Sequence, residues 1–260
     1  MNRNLNYSAL ILRSRPSGES NRDVWLLTAE AGLIRATVFG GPKSKLRSYA
    51  SPFHSGQAWV YHDPAKDNRK LSDFDVRSWR PGLREMYERA MAADAAAETI
   101  LASHGGGGNW GRALSLAEAA LDALEVVDSE TCSRIALCFL WQWADFLGLR
   151  PELDHCSLCG KQIPANSMGI FSPREGCMVC DTCLDRTYLD RTYAGSDQRA
   201  DLIDAGPGCR RWLETVRPLA PAQLTRYTLD GKSFREAKSL TTAILAEALG
   251  RRLASWEILS

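Results

Sequence analysis

The sequence predicts an α+β multidomain chain: a five-stranded barrel at the N-terminus, then an α-helical domain with a cysteine-rich ribbon inserted into it. Three observations predict this. Five short β-favouring runs crowd into the first 80 residues. From Pro81 onward the apolar period changes from two to three or four. Two Cys-x-x-Cys knuckles, separated by twenty residues, interrupt the helical pattern. The expected spans are 1–80 for the barrel, 81–154 and 185–260 for the two parts of the helical domain, and 155–184 for the ribbon.

Residues 8–12 are a short apolar run, and the polar stretch 13–22, with Pro16 and Gly18, reads as a loop. Residues 24–28 form a second β-favouring run. Glu30-Ala31-Gly32 then turns the chain into residues 33–39, which suits a hairpin. In that third run Ile34, Ala36 and Val38 share one face, so Arg35 points outward. Gly40-Gly41-Pro42 stops the strand, and residues 43–47 make a basic loop. Residues 57–62 and 71–79 supply the last two strands. Five short strands fit a small closed barrel, of which the oligonucleotide-binding fold is the common form; spacing alone leaves other small barrels open.

Pro81 suits a helix start, and Met86, Ala90, Ala93, Ala97, Ile100 and Leu101 step at helical spacing through residues 83–103. Four glycines at 105–108 break the chain. Residues 110–127 form a second helix, and Ser129 opens a third that ends at Gly148 before Pro151. The third is dense in large apolar residues and predicts the central buried helix. Residues 184–204 are polar and poorly periodic. Short helices are expected at 208–216 and 221–228, and one long amphipathic helix over 234–256.

The chain has 260 residues, 45% hydrophobic and 24% charged, enough for one large or two moderate domains with a real core. No run approaches the ~20 apolar residues of a bilayer span, and the N-terminus lacks a signal-peptide pattern, so a cytoplasmic location is expected. The net charge of +1 hides an asymmetry: residues 1–80 carry thirteen Lys/Arg against seven Asp/Glu, net +6, and the rest carry nineteen against twenty-four, net −5. A basic module on an acidic body suits a polyanion-binding domain joined to a protein-contacting one.

The knuckles are Cys156-Ser157-Leu158-Cys159 and Cys180-Asp181-Thr182-Cys183. Each brings two thiolates to one ion from a tight turn, and two knuckles complete the four-sulfur shell of a structural zinc. Cys177-Met178-Val179-Cys180 is also a Cys-x-x-Cys, and His155 adjoins Cys156, so both are spare candidates. The residues at 176–179 read as a β-like approach to the second knuckle, which selects Cys156, Cys159, Cys180 and Cys183. A thioredoxin-like redox pair lacks its βαβ context, and a zinc deaminase lacks its His-x-Glu. Cys132 and Cys138 lie in an apolar helical pattern and read as small buried hydrophobes.

Arg13, Arg15, Arg22, Arg35, Lys43, Lys45 and Arg47 are the nucleic-acid-binding candidates, placed on barrel loops and one strand face where they would neutralise phosphates. Trp25, Phe39, Tyr49, Phe53, Trp59 and Tyr61 lie among them and could stack bases, but most are expected to fill the small barrel's core. Gly40-Gly41-Pro42-Lys43-Ser44 lacks the Gly-Lys core of a phosphate loop.

These residues together resemble the RecO family of bacterial recombination mediators. The resemblance runs through Ala9-Leu10-Ile11-Leu12-Arg13-Ser14-Arg15-Pro16, Gly32-Leu33-Ile34-Arg35-Ala36 and Pro42-Lys43-Ser44-Lys45-Leu46. It resumes at Phe146-Leu147-Gly148-Leu149-Arg150-Pro151, Cys156-Ser157-Leu158-Cys159-Gly160 and Phe171-Ser172-Pro173, and closes at Leu249-Gly250-Arg251-Arg252-Leu253. It implies an oligonucleotide-binding barrel, a helical body, a zinc ribbon and a non-enzymatic, nucleoid-associated role. Such proteins bind single- and double-stranded DNA and anneal complementary strands. They engage the single-stranded-DNA-binding protein, and with RecR and often RecF they help RecA load. Cys177 departs from the family pattern, and no residue-level site for the binding-protein tail transfers. A zinc-containing RNA-binding module and an enzyme with a hidden site are the alternatives.

Overall fold

The computed structural model describes residues 3–41, 44–184 and 202–257. It divides into two compact units, Met1–Cys132 and Ser133–Ser260.

The first unit opens with β1 (Asn4–Ser17), β2 (Asn21–Thr28) and β3 (Gly32–Val38). A short helix α1 (Lys45–Tyr49) precedes β4 (Ser55–Asp63) and β5 (Asn68–Ser78). The strands close in the order β1-β2-β3-β5-β4, with β3 and β5 parallel and the other pairs antiparallel. A closed five-stranded barrel with a helix between the third and fourth strands is the oligonucleotide-binding arrangement. Its interior is filled by Ala9, Ile11, Val24, Leu26, Ile34, Ala36, Val38, Val60, Leu71 and Phe74. These alternate along their strands because side chains of a strand point to opposite faces.

Two expectations for this region are corrected. Residues 13–22 are not a loop: β1 runs on to Ser17 and pairs with β2 down to Ser17↔Asn21, so only residues 18–20 turn. Backbone pairing along a long hairpin overrides the polar composition. The basic stretch 43–47 is not wholly a loop either, because Lys45 and Arg47 lie on α1, whose Leu46 and Tyr49 pack on the barrel core.

Gly32 shows why its position is glycine. Its φ is +68°, and a Cβ there would lie 2.7 Å from the ring of Trp110. Both the left-handed turn into β3 and the close approach of the Trp110 ring exclude a side chain.

A 3-10 turn at Pro81–Arg84 leads into α2 (Tyr87–Ala102), α3 (Trp110–Leu124) and α4 (Ser129–Phe146). Arg80 ties this turn to the barrel. Its guanidinium is buried and donates to the Phe53 carbonyl at 2.7 Å, Ser55 Oγ at 3.1 Å and Asp122 Oδ1 at 2.6 Å.

In the second unit α4 carries the fully buried Phe139, Trp141 and Trp143, in keeping with its density of large apolar residues. Beyond it lie β6 (Gly169–Ser172), β7 (Cys177–Val179), α5 (Asp181–Leu184), β8 (Ile203–Ala205), α6 (Pro207–Val216), α7 (Gly231–Leu249) and α8 (Ala254–Glu257). Trp141 Nε1 donates to the Leu213 carbonyl at 2.9 Å. The Gln142 side-chain amide donates to the carbonyls of Val216, Arg217 and Leu219, satisfying the open end of α6.

Of the stretch 184–204, polar and poorly periodic in sequence, residues 185–201 lie outside the described residues, and Ile203–Ala205 is a strand that joins the β7-β6-β8 sheet. The long C-terminal helix is also corrected. It ends at Leu249, where Gly250 adopts φ +67° and the Arg251 N–H closes on the Ala246 carbonyl. The apolar stripe continues past that cap into Leu253 and Trp256, which are buried on a separate turn.

Candidate nucleic-acid interface and metal centre

The outer wall of β1-β2-β3 is built in rows. Arg13 on β1 stands opposite Trp25 on β2, which stands opposite Arg35 on β3. In the next row Arg15 faces Asp23, which faces Thr37. Thr37 pairs across to Lys70 on β5, and Lys70 to Tyr61 on β4. Outward parity follows from the inward parity of Val24, Leu26, Ile34 and Ala36.

The charges on this wall are held in place. Arg35 is ion-paired with Asp23 and stands over the Trp25 ring at 5.4 Å. Asp23 also accepts from Thr37 Oγ1 at 2.9 Å. Burial raises the Asp23 pKa, but the donors Arg35, Thr37 and Ser17 outweigh it and hold the carboxyl below its usual range. The Asp23 side chain is 9% exposed and that of Arg35 62% exposed, so the row presents the cation rather than the anion. Arg13 is half-buried, and its charge acts on Asp94 of α2, whose pKa is raised by burial first and held back by Arg13. Arg15 is exposed.

The remaining candidates fall elsewhere. Arg22 pairs with Pro16 and Val38 on the opposite parity, half-buried, with its Nε unmatched. Lys45 and Arg47 are on α1. Lys43 lies outside the described residues. The candidates are therefore on strands and a helix more than on loops.

The aromatics reverse their expectation. Phe53 is buried and Tyr49 packs against the core, but Trp25 and Tyr61 are half-exposed, and Phe39 and Trp59 stand out at 43% and 37% exposure. The core ring is Phe74 instead. Lys70, absent from the candidates read in the sequence, places its Nζ 5.3 Å from the Phe39 ring centroid. The signal for Phe39 was present, since it shares parity with Arg35. That for Lys70 was not, since it comes from the β3–β5 pairing.

The second site is the cysteine cluster. The sulfurs of Cys156, Cys159, Cys180 and Cys183 lie within 4.8 Å of one another. The first knuckle turns through the Gly160 N–H to the Cys156 carbonyl, the second through the Cys183 N–H to the Cys180 carbonyl. The Ser157 N–H donates to the Met178 carbonyl at 3.0 Å, fastening the first knuckle to β7. Cys177 is not in the cluster, and His155 belongs instead to an exposed group with Glu152 and Asp154.

The donor set fits a metal. Bonds of ~2.3 Å in a tetrahedron separate sulfurs by about 3.8 Å, and Cys159 and Cys180 Sγ are 3.8 Å apart. Burial raises the Cys156 thiol pKa, but N–H groups of Cys180, Cys159 and Leu158 outweigh it and bring it down to about 6. Cys183 is pushed up to about 12, first by the Cys159 side chain and also by Cys180 and Cys156. One thiolate is favoured at the cost of its neighbour; a divalent cation lets all four ionise together. Cys132, Cys138 and Cys209 are pushed up by burial to about 11, 12 and 12, consistent with inert core thiols.

Arg210 anchors the ribbon's base. Its buried guanidinium donates to the carbonyls of Ala205, Leu153, Pro164 and Ser167 at 3.2, 3.2, 2.8 and 2.7 Å. No helix among the described residues is long and apolar enough to cross a membrane.

Comparison with known proteins gives two family matches in sequence order. The family described as Recombination protein O N terminal matches residues 1–78, and Recombination protein O C terminal matches residues 84–194. Among curated relatives, a protein from Rubrobacter xylanophilus named DNA repair protein RecO is 29% identical over 245 residues, covering 93% of this chain and 91% of the relative. One of the same name from Desulfitobacterium hafniense is 29% identical over 255 residues, covering 96% and 87%. Another, from an Anaeromyxobacter species, is 27% identical over 268 residues, covering 98% and 95%.

Proposed function

We propose that this chain, which belongs to the RecO family of DNA repair proteins, is a non-enzymatic recombination mediator. It binds single- and double-stranded DNA without reading sequence and anneals complementary strands. With RecR, and with RecF, it helps RecA load onto DNA coated with single-stranded-DNA-binding protein. It works in the bacterial cytoplasm at the nucleoid.

The observation that carries this reading is the outer wall of the barrel. Arg13, Arg15 and Arg35 sit on two neighbouring rows with Trp25 between them, and Lys70 continues the wall onto β5. Regularly spaced cations on a rigid sheet neutralise successive phosphates, and the released counterions drive binding. The anchored Asp23 fixes Arg35 without presenting an anion to the strand.

The four-cysteine cluster holds a structural zinc in this reading. Four sulfur ligands leave no position for water, so the ion supplies cohesion and no chemistry. It joins the two knuckles, and with Arg210 it fixes the ribbon to α6.

The test is equilibrium binding of a single-stranded oligonucleotide across a salt series, followed by annealing of strands coated with binding protein. Affinity should fall steeply with salt. Arg15→Glu with Lys45→Glu should weaken binding and annealing together. It should also lower the salt slope, by about 0.7 for each single-strand phosphate that is no longer neutralised. Salt-independent binding, or a double variant that anneals like wild type, would remove the barrel wall from the function.

A further inference from the structure

Two aromatic rings stand on the outer barrel wall with a cation against each. Trp25 on β2 has the Arg35 guanidinium carbon 5.4 Å from its ring centroid. Phe39, just past the end of β3, has Lys70 Nζ at 5.3 Å. Phe39 is 43% exposed, an open position for a purely apolar ring beside a packed core. Arg35 stands directly opposite Trp25, and Lys70 stands opposite Thr37, two residues before Phe39. Both pairs therefore lie on the same outer face of the sheet, one on each flank of β3. From Arg35 to Phe39 is four residues, roughly 13 Å along the strand, a gap that a short run of unpaired nucleotides can bridge.

We propose that Trp25 and Phe39 are base-stacking platforms by which the barrel distinguishes an unpaired DNA strand from a duplex. The inference rests on the DNA-binding reading above and deepens it. An exposed ring stacks on the π-face of any base, so binding through it is tolerant of sequence. A cation over the ring is held there by the ring's quadrupole, beside the place where a stacked base would bring its phosphate. Arg35 and Lys70 would take the phosphates flanking the stacked bases. The carboxylate in this stretch, Asp23, is buried and already accepts from Arg35 and Thr37, so it does not oppose the strand. In a duplex the base faces are buried against one another, and only phosphates remain for the wall to hold. Single-strand binding then uses rings and cations, and duplex binding uses cations alone.

The experiment compares Trp25→Leu, Phe39→Leu, Phe39→Trp and Lys70→Gln with wild type, on a single strand and a duplex of equal length, over a salt series. Each Leu variant should weaken single-strand affinity about five- to 150-fold, equivalent to ~1–3 kcal/mol per stacked base. The salt slope and duplex affinity should stay at wild-type values. Phe39→Trp keeps a ring on an exposed site, so it should hold or improve single-strand affinity and shows that the position tolerates change. Lys70→Gln should weaken both substrates and lower the slope. Leu variants that bind single strands like wild type, or that lose duplex binding in equal measure, overturn the stacking role while leaving the DNA-binding reading standing. A wild-type protein that binds neither substrate overturns both.

Discussion

Arg210→Lys isolates what a planar guanidinium does at the base of the ribbon. Arg210 is 5% exposed, and burial pulls its pKa below the usual value, yet it remains the cation that four carbonyls share. Those carbonyls belong to separate segments: Leu153 before the first knuckle, Pro164 and Ser167 after it, and Ala205 at the end of β8. A lysine keeps the charge but offers its three donors from one point, without the fork that reaches in several directions. At least two carbonyls then lose their donor. Each stranded buried acceptor costs about 1–3 kcal/mol, so losing two should cost about 2–6 kcal/mol. For a unit of this size that lowers the apparent Tm by about 6–20 °C. The assay is thermal denaturation of the zinc-saturated protein, read together with the rate of zinc transfer to a chelator, which should rise. A Tm within about 2 °C of wild type with unchanged zinc release would show that the carbonyls do not depend on the fork.

Three further outcomes are expected. Arg80→Ala should destabilise the barrel by about 2–4 kcal/mol in denaturant titration, because the Phe53 carbonyl and Ser55 lose a buried donor while the exposed Asp122 returns to water; a cost under about 1 kcal/mol would refute the tie. His54 is buried, and burial with help from Arg84 and Arg80 lowers its pKa from 6.5 against the pull of the Tyr49 carbonyl. Below pH 6.5 the unfolded chain therefore takes up a proton that the folded chain resists. Stability should hold above that pH and decline as it falls toward the depressed folded value, and His54→Gln should remove that decline; parallel profiles would refute it. Cys183→Ser should lower bound zinc and melting temperature by elemental analysis and calorimetry, whereas Cys177→Ser should change neither; the reverse pattern would exchange their roles.

Much of this was legible in the sequence because it depends on local periodicity. The inward set Ile34, Ala36 and Val38, the change of period at Pro81, and the apolar density of α4 are short-range patterns. The structure follows them within a few residues. The cysteine cluster was legible because the Cys-x-x-Cys spacing brings two sulfurs together from one tight turn. What escaped came from pairing over long distances. Ile203–Ala205 becomes a strand only because β6 offers it an edge, and Lys70 reaches Phe39 only because β3 and β5 run side by side. The end of α7 was misread because Gly250 caps the helix while the apolar stripe continues beyond it.

The bulge in β1 is where sequence alternation and function part most sharply. Ala9 and Ile11 point into the barrel, so strict alternation would send Arg13 and Arg15 inward after them. The pairing runs Ile11↔Leu26 and then Arg13↔Trp25, which leaves Leu12 as an extra residue. That single insertion moves every later side chain of β1 to the other face. Leu10, Ile11 and Leu12 are consequently all buried, while Arg13 and Arg15 join the outer rows with Trp25 and Asp23. Arg22 is off the wall that Arg13, Arg15 and Arg35 share for a separate reason: it shares the inward parity of Val24 and Leu26 on its own strand, opposite Pro16 and Val38. The β1 share of the cationic face, Arg13 and Arg15, is thus placed by one unpaired backbone residue. Deleting Leu12 would restore alternation, drive two guanidinium groups toward an apolar core and leave Arg35 and Lys70 as the cations of the wall.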